Sequence, residues 1–219
     1  MDILKELCYN RAYIFREGES TVMWWNRRIF GFDSYHVILW FLLYSILGWI
    51  VESIYMSICN RKLTNRGFAK GPFCPIYGVG ALTVYFVLRP YSSNEFLLFL
   101  LGSLLATALE LLTGIIMKRI FGEIWWDYHE KPFNYKGILC LESSIAWGFY
   151  TLFLFLFLQR FVEGVVARIP FLVGKIVGSF LIVVFTMDFL HSLYVEKKED
   201  IPERVWRIKD TLIEKISRS

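Results

Sequence analysis

Between Tyr35 and Val195 five apolar stretches follow one another, and most of the charge falls in the short segments between them. They run over 35–59, 71–88, 95–117, 139–158 and 170–195. A helix needs about 20 apolar residues to traverse the hydrocarbon of a bilayer, and each stretch comes near that length. Only 20% of the 219 residues are charged and 56% are apolar, whereas a water-soluble domain carries about 25% charge in mixed order. An ordinary globular enzyme, a disordered chain and a disulfide-rich secreted domain are therefore excluded. The pattern predicts an all-α fold, a polytopic membrane helical bundle of about five transmembrane helices. The domain plan is an N-terminal tail over 1–34 with an interfacial helix around Trp24, Trp25, Arg27 and Arg28, then a transmembrane domain over 35–195. A cytoplasmic amphipathic helix over 196–219 follows. Asp200 is its expected N-cap, with Pro202 and Glu203 in the first turn, and Val205, Ile208, Leu212, Ile213 and Ile216 form its apolar face.

Lys and Arg set the orientation. Fifteen fall on the side of the 60–70 and 118–138 connections and the C-terminal tail, against eight on the other side. The C-terminus is thus expected in the cytoplasm and the protein in the cell (plasma) membrane. Five spans would then leave the N-terminus outside. The net charge of +4 gives no footprint for nucleic acid. The four cysteines (Cys8, Cys59, Cys74, Cys140) contain no CxxC pair and no zinc spacing, which makes them reduced structural thiols.

Spans one and three overlay at an offset of 58 residues, so that Ser45, Gly48, Glu52 and Arg61 fall on Ser103, Ala106, Glu110 and Arg119. Gly71 and Cys74 are echoed by Gly137 and Cys140, and Asp188 precedes Lys197 by the same nine residues that separate Glu52 from Arg61. Alternate spans run the same way, so this reads as a parallel repeat of a two-helix hairpin plus a final helix. Nine residues of helix rise about 13 Å, which puts Glu52, Glu110 and Asp188 at one depth, with Glu142 entering from the start of span four. A charged group at membrane depth costs about 3 kcal/mol even on the lenient insertion scale. Four carboxylates in one layer therefore predict a substrate or proton site in a polar cavity open to the cytoplasm. The structural alternative has each acid cap the broken start of span two or pair with Arg66 or Lys70.

Span two begins among Gly67, Gly71, Pro72, Pro75, Gly78 and Gly80. Proline lacks an N–H and holds its predecessor extended, so the regular helix should begin near Pro75. Irregular backbone at that depth persists only where protein or a water-filled cavity covers it. Gly71, Pro72, Pro75, Tyr77 and Gly78 are accordingly expected to line the cavity beside Glu52 and Glu110. Trp126 and Asp127, in the third connection, would stand at its mouth. His191, three residues after Asp188, makes that pair a weak candidate for metal, and no metal site is assigned. No GxSxG, HExxH or P-loop sequence occurs, no cofactor is evident, and Ser143 and Ser144 have no His or Lys placed to activate them.

Ser45, Gly48, Trp49 and Glu52, then Arg66, Gly67, Phe68, Gly71, Pro72, Pro75, Ile76, Tyr77 and Gly78, then Trp126, Asp127, Tyr128, Pro132, Phe133, Asn134 and Gly137 form a pattern that resembles the ABC-transporter permease family of the CmpB type, called type IV. The resemblance covers about 35–195 and implies an integral membrane permease without naming a substrate. Neither 60–70 nor 118–138 carries the EAA…G coupling loop by which importer permeases engage their ATPase. The expected function is a permease or transporter-like protein for a small solute or ion. Behind it stand an intramembrane enzyme acting on a lipid head group and a non-transporting assembly or sensor subunit. The partners expected are the lipid bilayer, the solute or ion, and an ATPase or other cytoplasmic protein met by the C-terminal helix. Association of two copies is left open.

Overall fold

The structure is a computed structural model and describes Trp25, residues 27–65 and residues 70–217, with side chains to residue 195. The rest of the N-terminal tail, the Arg66–Gly67–Phe68 part of the family pattern and the apolar face expected beyond residue 195 lie outside the described residues or side chains.

A two-residue hairpin, β1 (Arg28–Ile29) against β2 (Phe32–Asp33), leads into α1 (Ser34–Asn60). Asp33 caps α1 by accepting the His36 N–H at 2.9 Å, satisfying one of the orphan donors of the first turn. A lead-in over residues 71–74 precedes α2 (Pro75–Leu88), and a tight turn over Arg89–Tyr91 follows it. α3 (Glu95–Phe121) starts at Asn94, whose side chain accepts the Leu97 N–H, and ends at Gly122 in the left-handed region, φ 82°, where glycine is the unstrained choice. The connection to α4 folds back as β3 (Asn134–Tyr135) paired with β4 (Leu139–Cys140). α4 (Leu141–Phe153), a wider π-type turn (Leu154–Leu158) and α5 (Gln159–Arg168) form one nearly continuous rod, followed by α6 (Phe171–Ser217).

Four of these segments are long and apolar enough to cross a membrane: Ser34–Asn60, Glu95–Phe121, Leu141–Arg168 and Phe171–Val195. α2, with 14 residues, rises only about 21 Å, less than the roughly 30 Å of hydrocarbon. Pro72 and Pro75 account for its short length, since the backbone before Pro75 cannot join the helix. α1 packs chiefly on α2, and α3 on α4, giving two antiparallel hairpins joined through α2 and α3, with α5 and α6 against α1. The bundle is built of helices, and among the described residues the two short hairpins are the only strands.

Three features differ from the sequence expectation. Residues 159–169 were expected as a connection, yet 159–168 are helical. Gln159, Val162 and Val166 are 3%, 0% and 1% exposed, a helical stripe that buries itself in the bundle. The cap expected at Asp200 does not form, because α6 is unbroken from Phe171 to Ser217. A continuous helix loses one hydrogen bond at Pro202 but avoids the unpaired donors and acceptors of two new helix ends. Trp25, expected at an interface, is 2% exposed and packs on Tyr35 and beside Gly178.

The core draws on Leu39, Trp40, Leu42 and Tyr44 of α1, Val84 and Tyr85 of α2, Leu98 of α3 and Phe185 of α6. Large apolar side chains remain exposed along α6, among them Leu172, Ile176, Phe180, Val183, Met187 and Leu190. On a membrane helix such residues face lipid tails, which are as apolar as they are.

Candidate carboxylate site

Glu110 sits in a row of buried α3 residues, Leu98, Gly102, Ala106, Glu110, Gly114 and Met117, spaced at three and four so that they share one face. The small members let α4 approach closely. A side chain at Gly102 would collide with Thr151, and one at Gly148 of α4 would collide with Ser103 and Phe99. Into this tight seam α3 presents a carboxylate that is only 9% exposed.

Its donors come from two other elements. Tyr128, in the connection, donates its hydroxyl to Oε1 at 3.1 Å. Trp147 of α4 donates its indole N–H to Oε2 at 3.0 Å. The Ser143 hydroxyl lies 3.2 Å from the same Oε2 and 2.9 Å from the Cys140 carbonyl. Its single proton is thus shared, and the carbonyl is the nearer acceptor. Ser143 and Trp147 are one turn apart and therefore share a face of α4. The connection is fixed from below, with the Trp126 indole N–H donating to the Ile138 carbonyl at 2.8 Å and the Tyr128 N–H to Gly137 O at 3.0 Å. Burial pushes the Tyr128 phenol above the ordinary tyrosine range, and the Glu110 charge adds to the shift.

The other predicted carboxylates are distributed unequally. The lead-in contacts two of them, one at each end: its Gly71 N–H donates to Asp188 Oδ2 at 2.8 Å, and Cys74 Sγ at its other end lies 4.0 Å from Glu52 Oε2. Phe73 between them is stacked on Phe185 with centroids 3.9 Å apart, which clamps the lead-in to α6. Tyr77 also engages Glu52 through its hydroxyl. Glu142 points the other way. It is 67% exposed and pairs with Lys131 at 2.9 Å, because consecutive helix residues lie about 100° apart and Ser143 takes the inward direction. That pairing holds the exposed Lys131 ammonium above its usual range.

Among the residues expected to line a cavity, Gly78 is buried against Ser45 and Phe41. Pro75, Tyr77 and Trp126 are half-buried and Pro72 is exposed. Asp127 is 72% exposed, accepting the His129 N–H at 2.9 Å and facing the His129 ring. The His129 N–H, then the ring, keep its carboxyl below the usual range. His191 is exposed, and among the described residues no group of three His, Cys, Asp or Glu side chains is placed to hold a metal.

Sequence reasoning passed over Trp147 and set Ser143 aside as an inactive nucleophile. The signal for both was their one-turn spacing on a span paired with an acid-bearing one. A second polar cluster was missed entirely. Gln159, 3% exposed, accepts from the Tyr44 hydroxyl and donates to Glu163 Oε1 at 2.8 Å. The Tyr85 hydroxyl approaches the same oxygen at 3.5 Å. The one-turn spacing of Gln159 and Glu163 marked it, and assigning that segment to a loop hid it.

No curated protein and no solved structure matches the chain. The model of the family described as "Putative ABC-transporter type IV" matches residues 39–193, a span that takes in both hairpins and the apolar part of α6, and the chain belongs to that family.

Proposed function

We propose that this integral membrane protein is a permease for a small solute or ion, with Glu110 as its principal binding carboxylate and Glu52 and Asp188 beside the lead-in as a second polar station. The observation that carries the reading is the Glu110 pocket: a carboxylate buried within a crossing helix and served by the neutral donors Tyr128 and Trp147. An intramembrane acid is costly to keep and by default marks a pathway or relay. Hydroxyl and indole donors can yield to a passing cation or proton without leaving a buried charge of their own. The orientation proposed is cytoplasmic for the basic end, where Arg61, Lys118, Arg119 and Lys131 lie.

We also infer that the two hairpins are copies of one unit. Gly78 meets Ser45 and Phe41, and Gly148 meets Ser103 and Phe99. On α1 and α3 these partners are related by the 58-residue offset of the sequence. The residue before each glycine is the aromatic partner of a carboxylate, Tyr77 for Glu52 and Trp147 for Glu110. The family description directs attention to a cytoplasmic ATPase as partner. The helix beyond residue 195, roughly 30 Å long by its rise, is the element proposed to meet it.

Proteoliposomes containing pyranine, with ion gradients imposed across the bilayer, test the carboxylate role. Glu110→Gln should lower flux by about tenfold or more, while Glu142→Gln, on an exposed pair, should leave it unchanged. Flux that survives Glu110→Gln removes the mechanism. Chemical change in an added lipid, abolished by the same substitution, would instead establish the enzyme reading.

A further inference from the structure

A cavity of about 380 Å³ opens at the basic end between α3 and the β3–β4 hairpin. Its walls divide by chemistry. Leu111 and Ile115 of α3 form the apolar part, and Lys118, Arg119, Tyr135 and Lys136 form the polar rim. Residues 111, 115, 118 and 119 share one face of α3, so the wall passes from apolar to cationic within two turns along the helix.

Among the described residues no carboxylate lies within ion-pair distance of Lys118, Arg119 or Lys136. Two of them sit in the last turn of α3, where the helix dipole favours cations, but the third belongs to another element. Lys136 adopts φ 53°, in the left-handed region that a residue with a side chain disfavours. Its ammonium stands 5.3 Å over the centroid of the Tyr135 ring. Beside the cavity, Leu112 and Ile116 are exposed on α3, so apolar surface runs up to the cationic rim.

We infer that the cavity binds the phosphate headgroup of an anionic phospholipid, with its first acyl carbons against Leu111 and Ile115. Basic pockets at the cytoplasmic face of membrane helices suit such headgroups, and the volume falls within the range of small-molecule sites. The apolar half of the wall distinguishes a lipid from free phosphate, which has nothing to place there. The site lies apart from the Glu110 carboxylate and does not depend on the permease reading. A bound lipid would hold the β3–β4 hairpin against α3, and the same connection delivers Tyr128 to Glu110.

Native mass spectrometry of the full-length protein in detergent, with added phosphatidylglycerol or phosphatidylcholine, tests the assignment. The wild type should retain phosphatidylglycerol in preference to phosphatidylcholine. Each neutralised cation should weaken that binding about fivefold, and Lys118→Gln/Arg119→Gln/Lys136→Gln together about a hundredfold. A control with Arg160→Gln/Arg168→Gln/Lys175→Gln removes equal charge at the opposite end and should retain the lipid. If the triple variant fails to fold by circular dichroism, Lys136→Gln alone, on the exposed hairpin, supplies the fivefold comparison. Equal retention of the two lipids, or equal loss in the two triple variants, overturns the proposal. So does displacement of phosphatidylglycerol by millimolar inorganic phosphate that itself stays bound, which would assign the site to free phosphate.

Discussion

The indole N–H of Trp147 lies 3.0 Å from Oε2 of Glu110, so one side chain of α4 both packs the seam and serves its buried carboxylate. This contact crosses between two apolar helices, and its acceptor is only 9% exposed. Interhelical hydrogen bonds in membranes nonetheless contribute only about 0.6 kcal/mol on average and up to about 1.7, because the separated helices find other partners.

Trp147→Phe keeps most of the ring and removes the donor. It should destabilise the folded protein by about 1 kcal/mol, read from unfolding in detergent micelles. The loss should be much smaller in a Glu110→Leu background, where no acceptor remains for the indole. Equal losses in both backgrounds would show that ring packing, not the hydrogen bond, is what matters.

Gly78 and Gly148 should be equally intolerant of bulk. A methyl group at either position meets Ser45 and Phe41, or Ser103 and Phe99, and overpacking costs about 1–3 kcal/mol. Gly78→Ala and Gly148→Ala should each lower Tm, whereas Gly80→Ala and Gly164→Ala, where a Cβ meets nothing, should not. Unequal behaviour of Gly78 and Gly148 would count against two equivalent hairpins.

The buried phenol of Tyr128 gives a pH dependence of known sign. Its folded-state pKa is raised above the ordinary value of about 10. The stability linked to it is therefore complete below about pH 10 and is lost as pH rises toward the folded-state value. Tyrosinate absorbance should show that Tyr128→Phe removes one phenol from the group that ionises only after the exposed tyrosines. A variant titration identical to that of the wild type would refute the assignment.

Gln159→Leu should be more damaging than its position near a helix junction implies. It leaves the Tyr44 hydroxyl and the Glu163 carboxylate without their shared partner, and an unsatisfied buried polar group costs about 1–3 kcal/mol. Tyr44→Phe/Gln159→Leu together should recover part of that loss, measured by a double-mutant cycle in micelles. Additive losses would mean the two residues do not act as a unit.

The sequence by itself determined what one-dimensional physics controls. Runs of apolar residues must be helical in a bilayer, because backbone groups have no other partners there, and Pro72 and Pro75 dictate where α2 starts. Glu110 was legible as a costly acid inside an apolar run. What surrounds each acid was decided only by tertiary structure, because a partner depends on the rotation of two helices about their axes. Glu142 and Ser143 are adjacent in the chain, yet one meets Lys131 outside and the other turns toward Glu110. The segment 159–168 reads as a polar connection until packing buries Val162 and Val166. Lys136 joins Lys118 and Arg119 around one cavity only because the chain folds back through the β3–β4 hairpin. Close approach of side chains distant in sequence requires that folding back, and no local pattern encodes it.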